Sequence, residues 1–357
     1  MKNKGFRNYY KNAANKISLE INAYLSLWIK NNIHISPRLG PLLTALGEGA
    51  KGGKRIRGML VILGYSLALQ KSLTSKEEKT ILQVAVAYEI FQTAILAHDD
   101  IIDKSELRRG IRTLHHHLGG NHYGISQTIS LGDLGFFIAY KIMAEIQFSE
   151  HLKTKALAFF SDSLTKTVLG QMLDVEFSHK KFALSENLLQ EIVQMYKLKT
   201  AYYTFIAPLS LGAILAGADE TFLASIKVFG ENVGVLFQLQ DDLSDIFDNS
   251  KDTKKDSGAD IKEGKITLLY AKAMQNANTT QRNILDKYYG KALTDKKTLS
   301  EIQKVFIQTN ARTYIQTMIE KYEHDARTVI PAITKKKNEQ QMLHEIIDYV
   351  CGKEING

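Results

Sequence analysis

Apolar residues recur at helical spacing along most of the chain. Within residues 80–98, Val84, Tyr88, Phe91 and Ile95 are four, three and four residues apart, which places them on one face of a helix. Strict alternation of apolar and polar residues, the pattern of a half-buried strand, is scarce. We therefore predict an all-α fold and expect residues 1–357 to form a single domain. Similar helical patterns cover residues 17–31, 156–176, 186–204, 222–248, 267–276, 311–329 and 342–350.

The composition is that of a globular protein and excludes several other classes. With 44% hydrophobic and 24% charged residues, the chain is neither disordered nor collagen-like. The single cysteine, Cys351, excludes a disulfide framework and a cysteine-rich zinc site. Uninterrupted apolar runs fall short of the ~18 residues that span a bilayer. The first residues contain no apolar segment of the kind found in secretory signals. We expect a cytoplasmic protein without a transmembrane segment.

The net charge of +8 permits an anionic partner but does not select one. Nucleic acid, a membrane surface and a phosphorylated metabolite all fit, and so does a lysine-rich surface without any partner. A nucleic-acid binder would interleave its cations with exposed aromatic residues, whereas many cations here lie close to carboxylates in the sequence. We therefore expect no nucleic-acid partner.

Two acidic clusters of the form DDxxD end two of the apolar helical segments. On a helix, the first and last aspartates of each cluster point the same way. Carboxylates this close repel one another unless a cation neutralises them. A small number of oxygen ligands suits Mg²⁺, which keeps several waters and is completed by substrate phosphates. Two such clusters predict a site that grips a diphosphate through metal ions. The clusters are Asp99, Asp100 and Asp103, and Asp241, Asp242 and Asp245.

Basic residues follow both clusters and also form a third group upstream. Each of them, taken singly, could be an ordinary surface charge. The upstream group opens with two glycines before a predicted helix, which is a suitable anion cradle. Together the groups predict two anion sites, one completed by metal and one without metal. The basic residues are Lys54, Arg55 and Arg57 upstream, Arg108 and Arg109 after the first cluster, and Lys254, Lys255 and Lys265 after the second.

Six motifs occur in one order from residue 52 to residue 265. They are GGKRIR (52–57), HDDIID with RRG (98–110), GQMLD (170–174), KT (199–200), FQLQDD with a further aspartate (237–245), and K..GAD with GK (255–265). In this order they resemble the trans-isoprenyl diphosphate synthases of the polyprenyl synthetase family, and among these most the geranylgeranyl diphosphate synthases. The resemblance extends from about residue 52 to the C-terminus.

The resemblance implies a head-to-tail prenyltransferase, a helical bundle of the isoprenoid synthase type with a central substrate cavity, acting as a homodimer. Three Mg²⁺ ions would bind an allylic diphosphate, and isopentenyl diphosphate would attack the allylic cation that forms. Metal binding is thereby expected of Asp99, Asp103 and Asp241. Catalytic roles are expected of Asp99, Asp100, Asp103, Arg108, Lys199, Thr200, Gln238, Asp241, Asp242, Asp245 and Lys255. Substrate binding is expected of Lys54, Arg57, Gln92, Arg108, Arg109, Lys199, Thr200, Gln238, Lys255 and Lys265.

The chain departs from the family pattern at several positions. Gln92 stands where many members have a histidine that contacts isopentenyl diphosphate, and Gly58 replaces the proline that usually follows the GGKRIR motif. Arg112 replaces the proline of the RRG motif, and Lys254 replaces a glycine. None of these changes removes an expected metal ligand.

In this family the helix below the first cluster sets the length of the product. Ala94 and Ile95, five and four residues before Asp99, are not aromatic, whereas Phe91 and Tyr88 lie one and two turns deeper and could close the cavity or simply fill the core. We expect a twenty-carbon product, geranylgeranyl diphosphate. The alternatives are a product of twenty-five or more carbons, a farnesyl diphosphate synthase, and a non-catalytic regulatory subunit, which tends to lose one DDxxD cluster. A terpene cyclase would lack the GGKRIR site.

Overall fold

The structure is a computed structural model that describes residues 5–108, 110–179, 186–247, 258–291 and 296–353. These residues are almost entirely helical, as the periodicity predicts. A short 3-10 turn at Ile33–Ile35 follows the first helix, and a π-helix, Lys197–Ile206, separates α8 from α9. The helices are α1 Phe6–Asn32, α2 Leu39–Gly49, α3 Ile56–Leu69, α4 Ser75–Ile102, α5 Leu114–His117, α6 His122–Glu145, α7 Glu150–His179, α8 Glu186–Tyr196, α9 Ala207–Leu215, α10 Glu220–Phe247, α11 Ala259–Glu263, α12 Leu268–Asn276, α13 Thr279–Tyr288, α14 Lys296–Gln308, α15 Ala311–Ile333 and α16 Lys337–Val350.

One short antiparallel hairpin accompanies these helices in the described part of the chain. Its strands are β1, Leu107–Arg108, and β2, Ile111–Arg112. The register pairs Leu107 with Arg112 and Arg108 with Ile111. The hairpin directly follows α4 and carries Arg108 back towards the end of that helix.

The chain divides into two compact units. Unit 1 contains the residues up to Ser161 together with Pro208–Leu223, and unit 2 contains Asp162–Ala207 and Ala224–Asn356. The first acidic cluster and the GGKRIR motif belong to unit 1, and the second cluster and the KT motif belong to unit 2. The expected single domain stays a prediction.

Helix α4 is the centre of unit 1. A capping box begins it, because the Thr74 side chain accepts from the Glu77 backbone N–H while the Glu77 carboxylate accepts from the Thr74 N–H. Residues 84–91 are all buried, so more of the surface of this helix is buried than the single apolar stripe in the sequence predicts. The physical reason is that α1, α3 and α6 all pack against α4 and cover more than one of its faces.

Glycines allow helices to cross closely within each unit. In unit 1, a Cβ atom at Gly212 of α9 would lie only 2.0 Å from the Val61 carbonyl oxygen of α3. In unit 2, a Cβ atom at Gly234 of α10 would lie 2.4 Å from the Cβ atom of Ala201 in the π-helix. Side chains at these positions would collide with neighbouring atoms, so glycine is required by the close approach.

By length and composition alone, three helical stretches of the described chain could cross a membrane: Ser75–Ile102, Asn187–Leu215 and Glu220–Phe247. In the first two, 67% and 83% of the most apolar window is buried inside the protein, and in the third 44% is buried. The expected absence of a transmembrane segment stays a prediction.

Candidate active site

The first acidic cluster occupies the last turn of α4 in unit 1. The Arg108 Nε donates to Asp100 Oδ1 at 2.6 Å, and a terminal nitrogen of Arg108 donates to Asp99 Oδ2 at 3.3 Å. The backbone N–H of Asp103 donates to the Asp99 carbonyl oxygen at 2.8 Å and closes the helix. Asp100 is buried, whereas Asp99 and Asp103 are half-buried. The β hairpin therefore places one guanidinium against two carboxylates of this cluster.

Burial and charge act in opposite directions on this pair. Burial raises the pKa of Asp100 to about 6, although Arg108 favours its ionised form. Burial alone would lower the pKa of Arg108, but the carboxylates of Asp100 and Asp99 raise it. The arginine is therefore held as a fixed cation beside the cluster.

The second acidic cluster lies near the end of α10 in unit 2 and is anchored by its middle aspartate. Asp242 is 1% exposed, and the Tyr196 hydroxyl donates to its Oδ2. The Gln238 Nε2 donates to Asp242 Oδ1 at 2.8 Å, and the Thr200 hydroxyl donates to Gln238 Oε1 at 2.7 Å. The Tyr196 hydroxyl in turn accepts from the Leu268 N–H at 2.8 Å. This chain of hydrogen bonds joins the predicted residues Thr200, Gln238 and Asp242.

The outer aspartates of the second cluster have different surroundings. Asp241 is exposed, and Asp245 is half-buried. Asp245 accepts from the backbone N–H groups of Ala259 at 3.2 Å and Asp260 at 3.1 Å, the first two residues of α11. Burial raises the pKa of both Asp242 and Asp260, and the neighbouring aspartates add to the rise. Asp260 is thus a further acidic residue at this end of α10.

Lys199 and Thr200 lie in the π-helix of unit 2, a rare geometry that often occurs at functional sites. The Lys199 ammonium donates to Asp174 Oδ2, and Asp174 belongs to α7 and is buried. A Cβ atom at Gly170 would lie 2.4 Å from the Lys199 backbone nitrogen. The glycine of the GQMLD motif therefore lets α7 approach the π-helix closely enough for this ion pair.

The GGKRIR segment lies in unit 1 with Lys54 exposed and Arg57 half-buried. The Tyr10 hydroxyl of α1 donates to the Lys54 carbonyl oxygen. Gln92 of α4 lies beside Arg57, within 3.0 Å of its guanidinium when the amide oxygen faces the arginine. The structure thus brings together Arg57 and Gln92, two residues that the resemblance assigns to isopentenyl diphosphate.

Three other predicted basic residues have different outcomes. Lys265, in unit 2, forms an ion pair with Glu263 at 2.9 Å, and its backbone N–H donates to the Asp260 carbonyl oxygen at 2.9 Å. Arg109 and Lys255 lie outside the described residues. Their expected roles stay predictions.

The residues expected to set product length join a cluster of aromatic rings in unit 1. Tyr88, Phe91 and Ala94 are buried, and Ile95 is half-buried. Ala94 faces α6, because a Cβ atom at Gly135 would lie 2.8 Å from the Ala94 Cβ atom. The ring centroids of the cluster are 5.3 Å apart for Phe91 and Phe136, 5.6 Å for Phe91 and Phe160, 5.8 Å for Tyr88 and Phe160, and 5.4 Å for Tyr140 and Phe160.

The donor chemistry of the acidic clusters fits Mg²⁺. In the described parts of the chain, no group of three or more His, Cys, Asp or Glu side chains is arranged to hold a metal ion. Each cluster instead offers a few carboxylate oxygens, of which those of Asp241 are exposed. Hard oxygen ligands in small number suit an ion that keeps its waters and binds substrate phosphates.

Comparison with known proteins agrees with this geometry. The profile of the polyprenyl synthetase family matches residues 42–306. The chain belongs to this family. The predicted family, the all-α fold and the class of enzyme, a prenyltransferase, are therefore confirmed.

Relatives and solved structures are similar over most of their length. The geranylgeranyl diphosphate synthase of Sulfolobus acidocaldarius is 28% identical over 93% of this chain and 94% of its own. The geranylfarnesyl diphosphate synthase of Natronomonas pharaonis is 31% identical over 61% of this chain and 64% of its own. The crystal structure of the Corynebacterium glutamicum geranylgeranyl pyrophosphate synthase, complexed with isoprenyl diphosphate and magnesium, aligns with a TM-score of 0.84 at 26% identity and covers 97% of this chain and 99% of its own.

The sequence did not single out several residues that hold these sites together. Tyr196 and Glu89 are of this kind, as are the rings of Phe136 and Phe160. Glu89 could have been found from the sequence, because residues 80–98 contain no other acidic residue and no lysine or arginine. Tyr196 carries no such signal, since it meets Leu268 across 72 residues of sequence.

We expect Tyr196→Phe to destabilise the metal-free protein in a pH-dependent way. The hydroxyl donates to Asp242 and lowers the carboxyl pKa against the rise caused by burial, so its loss raises that pKa further. The ionised form therefore loses more than the neutral form, and stability at pH ~8 falls by about 1–3 kcal/mol but by less at pH ~5. Chemical denaturation at the two pH values measures the difference.

Tyr140→Phe is the matched control for this variant. Tyr140 is half-buried and packs against Phe160. The stability that Tyr140→Phe loses should be the same at both pH values. An equal loss for Tyr196→Phe at both pH values would contradict the role given to its hydroxyl.

Proposed function

We propose that the protein condenses an allylic diphosphate with isopentenyl diphosphate, with Mg²⁺, to form geranylgeranyl diphosphate. The observation that carries the proposal is the pair of acidic clusters at the ends of α4 and α10, each with its middle aspartate buried and held by protein donors. The similarity to geranylgeranyl diphosphate synthases over nearly the whole chain supports the same product. A cytoplasmic, single-domain protein is part of this proposal.

Three Mg²⁺ ions per active site would be held by Asp99, Asp103 and Asp241. When bound, the metal neutralises the negative charge of a diphosphate and of the pyrophosphate that leaves. Arg108, held by Asp99 and Asp100, adds a cation that needs no rearrangement during the reaction. Lys199 and Lys255 serve the same allylic diphosphate.

The other residues receive isopentenyl diphosphate and shape the reaction. Lys54, Arg57 and Arg109 hold its diphosphate, and Gln92 contributes to this binding through its contact with Arg57. The allylic carbon–oxygen bond breaks and its electron pair leaves with pyrophosphate, and the double bond of isopentenyl diphosphate supplies the electron pair of the new carbon–carbon bond. A proton then passes to pyrophosphate and restores a double bond. The oxygen atoms of Thr200 and Gln238 place the negative ends of their dipoles beside the cationic carbon. The hydrogen bond between the two side chains supports this orientation. Asp242, Asp245 and Lys265 support these groups.

A condensation assay with the purified protein alone tests this function. We expect Mg²⁺-dependent formation of a longer prenyl diphosphate, reduced at least about a hundredfold by Asp99→Ala with Asp241→Ala, because charge stabilisation at a reacting centre has effects of this size. Asp162→Ala, which removes an exposed aspartate that pairs with Lys166 in α7, should keep its activity.

Two results of this assay would point to other functions. Activity that survives the double aspartate substitution would remove the proposed metal ligands from the mechanism. Activity that appears only when a second protein is added would instead favour a regulatory subunit.

We propose that the aromatic cluster around Phe91 closes the far end of the prenyl-tail cavity. Phe91→Ala removes a ring that contacts Phe136 and Phe160, so the product should become longer by one or more five-carbon units. Chromatography of products made from labelled isopentenyl diphosphate measures the change. Phe137→Ala removes a ring that is 71% exposed and should not alter product length. Unchanged products from Phe91→Ala would leave these rings as core packing and reopen the farnesyl and longer-chain alternatives.

We propose that the protein is a homodimer that uses an exposed apolar face of α7. Val168, Leu169, Met172 and Val175 lie on one side of this helix and are 51%, 48%, 62% and 41% exposed. Met172→Glu should convert the dimer to a monomer, because it places a charge in a desolvated interface. Light scattering after gel filtration measures the mass. Val228→Glu changes a comparably exposed residue of α10 and should leave a dimer. A wild-type monomer, or a dimer that tolerates Met172→Glu, would contradict the proposal.

A further inference from the structure

Glu89 is a buried carboxylate of α4 that the reaction described above does not use. It is 2% exposed and lies three residues, nearly one helical turn, before Gln92. Its Oε1 accepts from the Gly58 backbone N–H at 2.8 Å, and its Oε2 lies 3.4 Å from a terminal nitrogen of Arg55. A buried carboxylate is costly unless its oxygen atoms are hydrogen-bonded. Moving Glu89 away from these partners would therefore be unfavourable, and this fixes its position.

Arg55 anchors this carboxylate from the GGKRIR segment. Its side chain is 4% exposed, and it donates to the Ala50 carbonyl oxygen at 2.6 Å and to the Ser18 hydroxyl at 3.1 Å, besides its contact with Glu89. Its backbone has a φ of +52°, a left-handed conformation that a non-glycine residue adopts only when its surroundings impose it. Since Arg55 stands between Lys54 and Arg57, this fixed turn sets the direction of the chain at both.

Gln92 connects Glu89 to Arg57. When the amide nitrogen faces Glu89, it donates to Oε2 at 3.2 Å, and the amide oxygen then accepts from a terminal nitrogen of Arg57 at 3.0 Å. This orientation satisfies both ends of the amide, which is the basis for assigning it. Glu89 forms an ion pair with Arg55, while Gln92, a neutral group, links Glu89 to Arg57.

Gly58 and Gln92 meet on the same carboxylate. Only a residue with a backbone N–H can make the 2.8 Å bond from position 58 to Glu89. A side chain there would also be crowded, because a Cβ atom at Gly58 would lie 3.0 Å from the Glu89 Cγ and 3.2 Å from the Ala85 carbonyl oxygen. Gln92 supplies the amide on the other side. Both residues therefore favour the same arrangement of Glu89.

We propose that Glu89 is a positioning residue that orients the Arg57 guanidinium for the diphosphate of isopentenyl diphosphate, acting through the Gln92 amide and anchored by Arg55. The inference rests on the proposed function, because Arg57 is taken as a ligand of that diphosphate. A direct ion pair between Glu89 and Arg57 would cancel part of the charge that an anion needs. A neutral amide transmits the orientation and leaves the compensating charge to Arg55.

The test combines direct binding with kinetics. We expect Glu89→Gln and Gln92→Leu each to raise both the Kd of isopentenyl diphosphate, measured by calorimetry, and its KM by about tenfold, the effect of losing one hydrogen bond to a charged group. The KM of the allylic diphosphate and kcat should change less than about twofold. We call the path of contacts from Glu89 through Gln92 to Arg57 the relay. The double variant should bind isopentenyl diphosphate no more weakly than Gln92→Leu alone, because both changes break this relay.

Glu345→Gln is the matched control. Glu345 is also a buried glutamate, 8% exposed, and it accepts from a glutamine side chain, Gln341, at 2.9 Å in unit 2. This variant reports the general effect of removing a buried carboxylate and should leave the KM of isopentenyl diphosphate unchanged. If Glu89→Gln fails to fold, Gln92→Leu, which keeps the Arg55–Glu89 pair, still gives the expected rise in KM.

The results separate failure of the relay from failure of the proposed function. If the wild type condenses the two substrates but Gln92→Leu binds isopentenyl diphosphate normally, the relay is overturned and the function stands. The relay is also overturned if the losses of the two single variants multiply in the double variant, or if the KM values of both substrates rise together. If the wild type neither binds nor condenses isopentenyl diphosphate, the proposed function fails and the relay fails with it.

Discussion

Carboxylates at the C-terminal ends of two long helices are the constraint on which the candidate site depends. The backbone of a helix carries partial negative charge at this end, so acidic side chains there are opposed by the dipole as well as by one another. In both α4 and α10 the middle aspartate is buried and receives protein donors: Arg108 for Asp100, and Tyr196 with Gln238 for Asp242. The outer aspartates are more accessible. In the proposed function, divalent metal ions that bind there with a diphosphate would relieve the remaining repulsion among the carboxylates.

Helix α4 carries a second buried acid, Glu89, which is also held by a protein donor. Glu89 and Asp100 both lie on α4, and each is paired with an arginine from a neighbouring segment, Arg55 from the loop before α3 and Arg108 from the hairpin after α4. In each case a buried carboxylate fixes a loop that also carries a candidate ligand. Because both acids lie on one well-packed helix, the two loops are held rigidly, and a small displacement of α4 would shift both candidate anion sites.

Much of this architecture is readable from the sequence, and the remainder has identifiable physical causes. The 3.6-residue periodicity predicts α4 over residues 80–98, whereas its start at the capping box of Thr74 and Glu77 is seen only in the structure. The DDxxD clusters and the GGKRIR segment are local patterns and therefore visible. The π-helix is not, because its geometry is stabilised by close neighbours, such as Gly170 and Gly234, that are far from it in sequence. The rings of Phe136 and Phe160 complete a cluster around Phe91 only through packing. A lone charged residue in an apolar helix is a local signal of the same kind as the DDxxD clusters, and Glu89 is such a residue, buried and paired with Arg55.

The two proposed anion sites differ in how closely a carboxylate approaches the arginine of the site. At the first cluster Arg108 contacts Asp99 and Asp100 directly and would remain beside the proposed metal as a second cation. At the GGKRIR segment the proposed site has no metal, so the charge of Arg57 must remain available to the ligand. A carboxylate in direct contact would reduce that charge, whereas the Gln92 amide holds the guanidinium at 3.0 Å without doing so. Placing Glu89 one step further away, against Arg55, therefore reconciles a fixed arginine with a positive site.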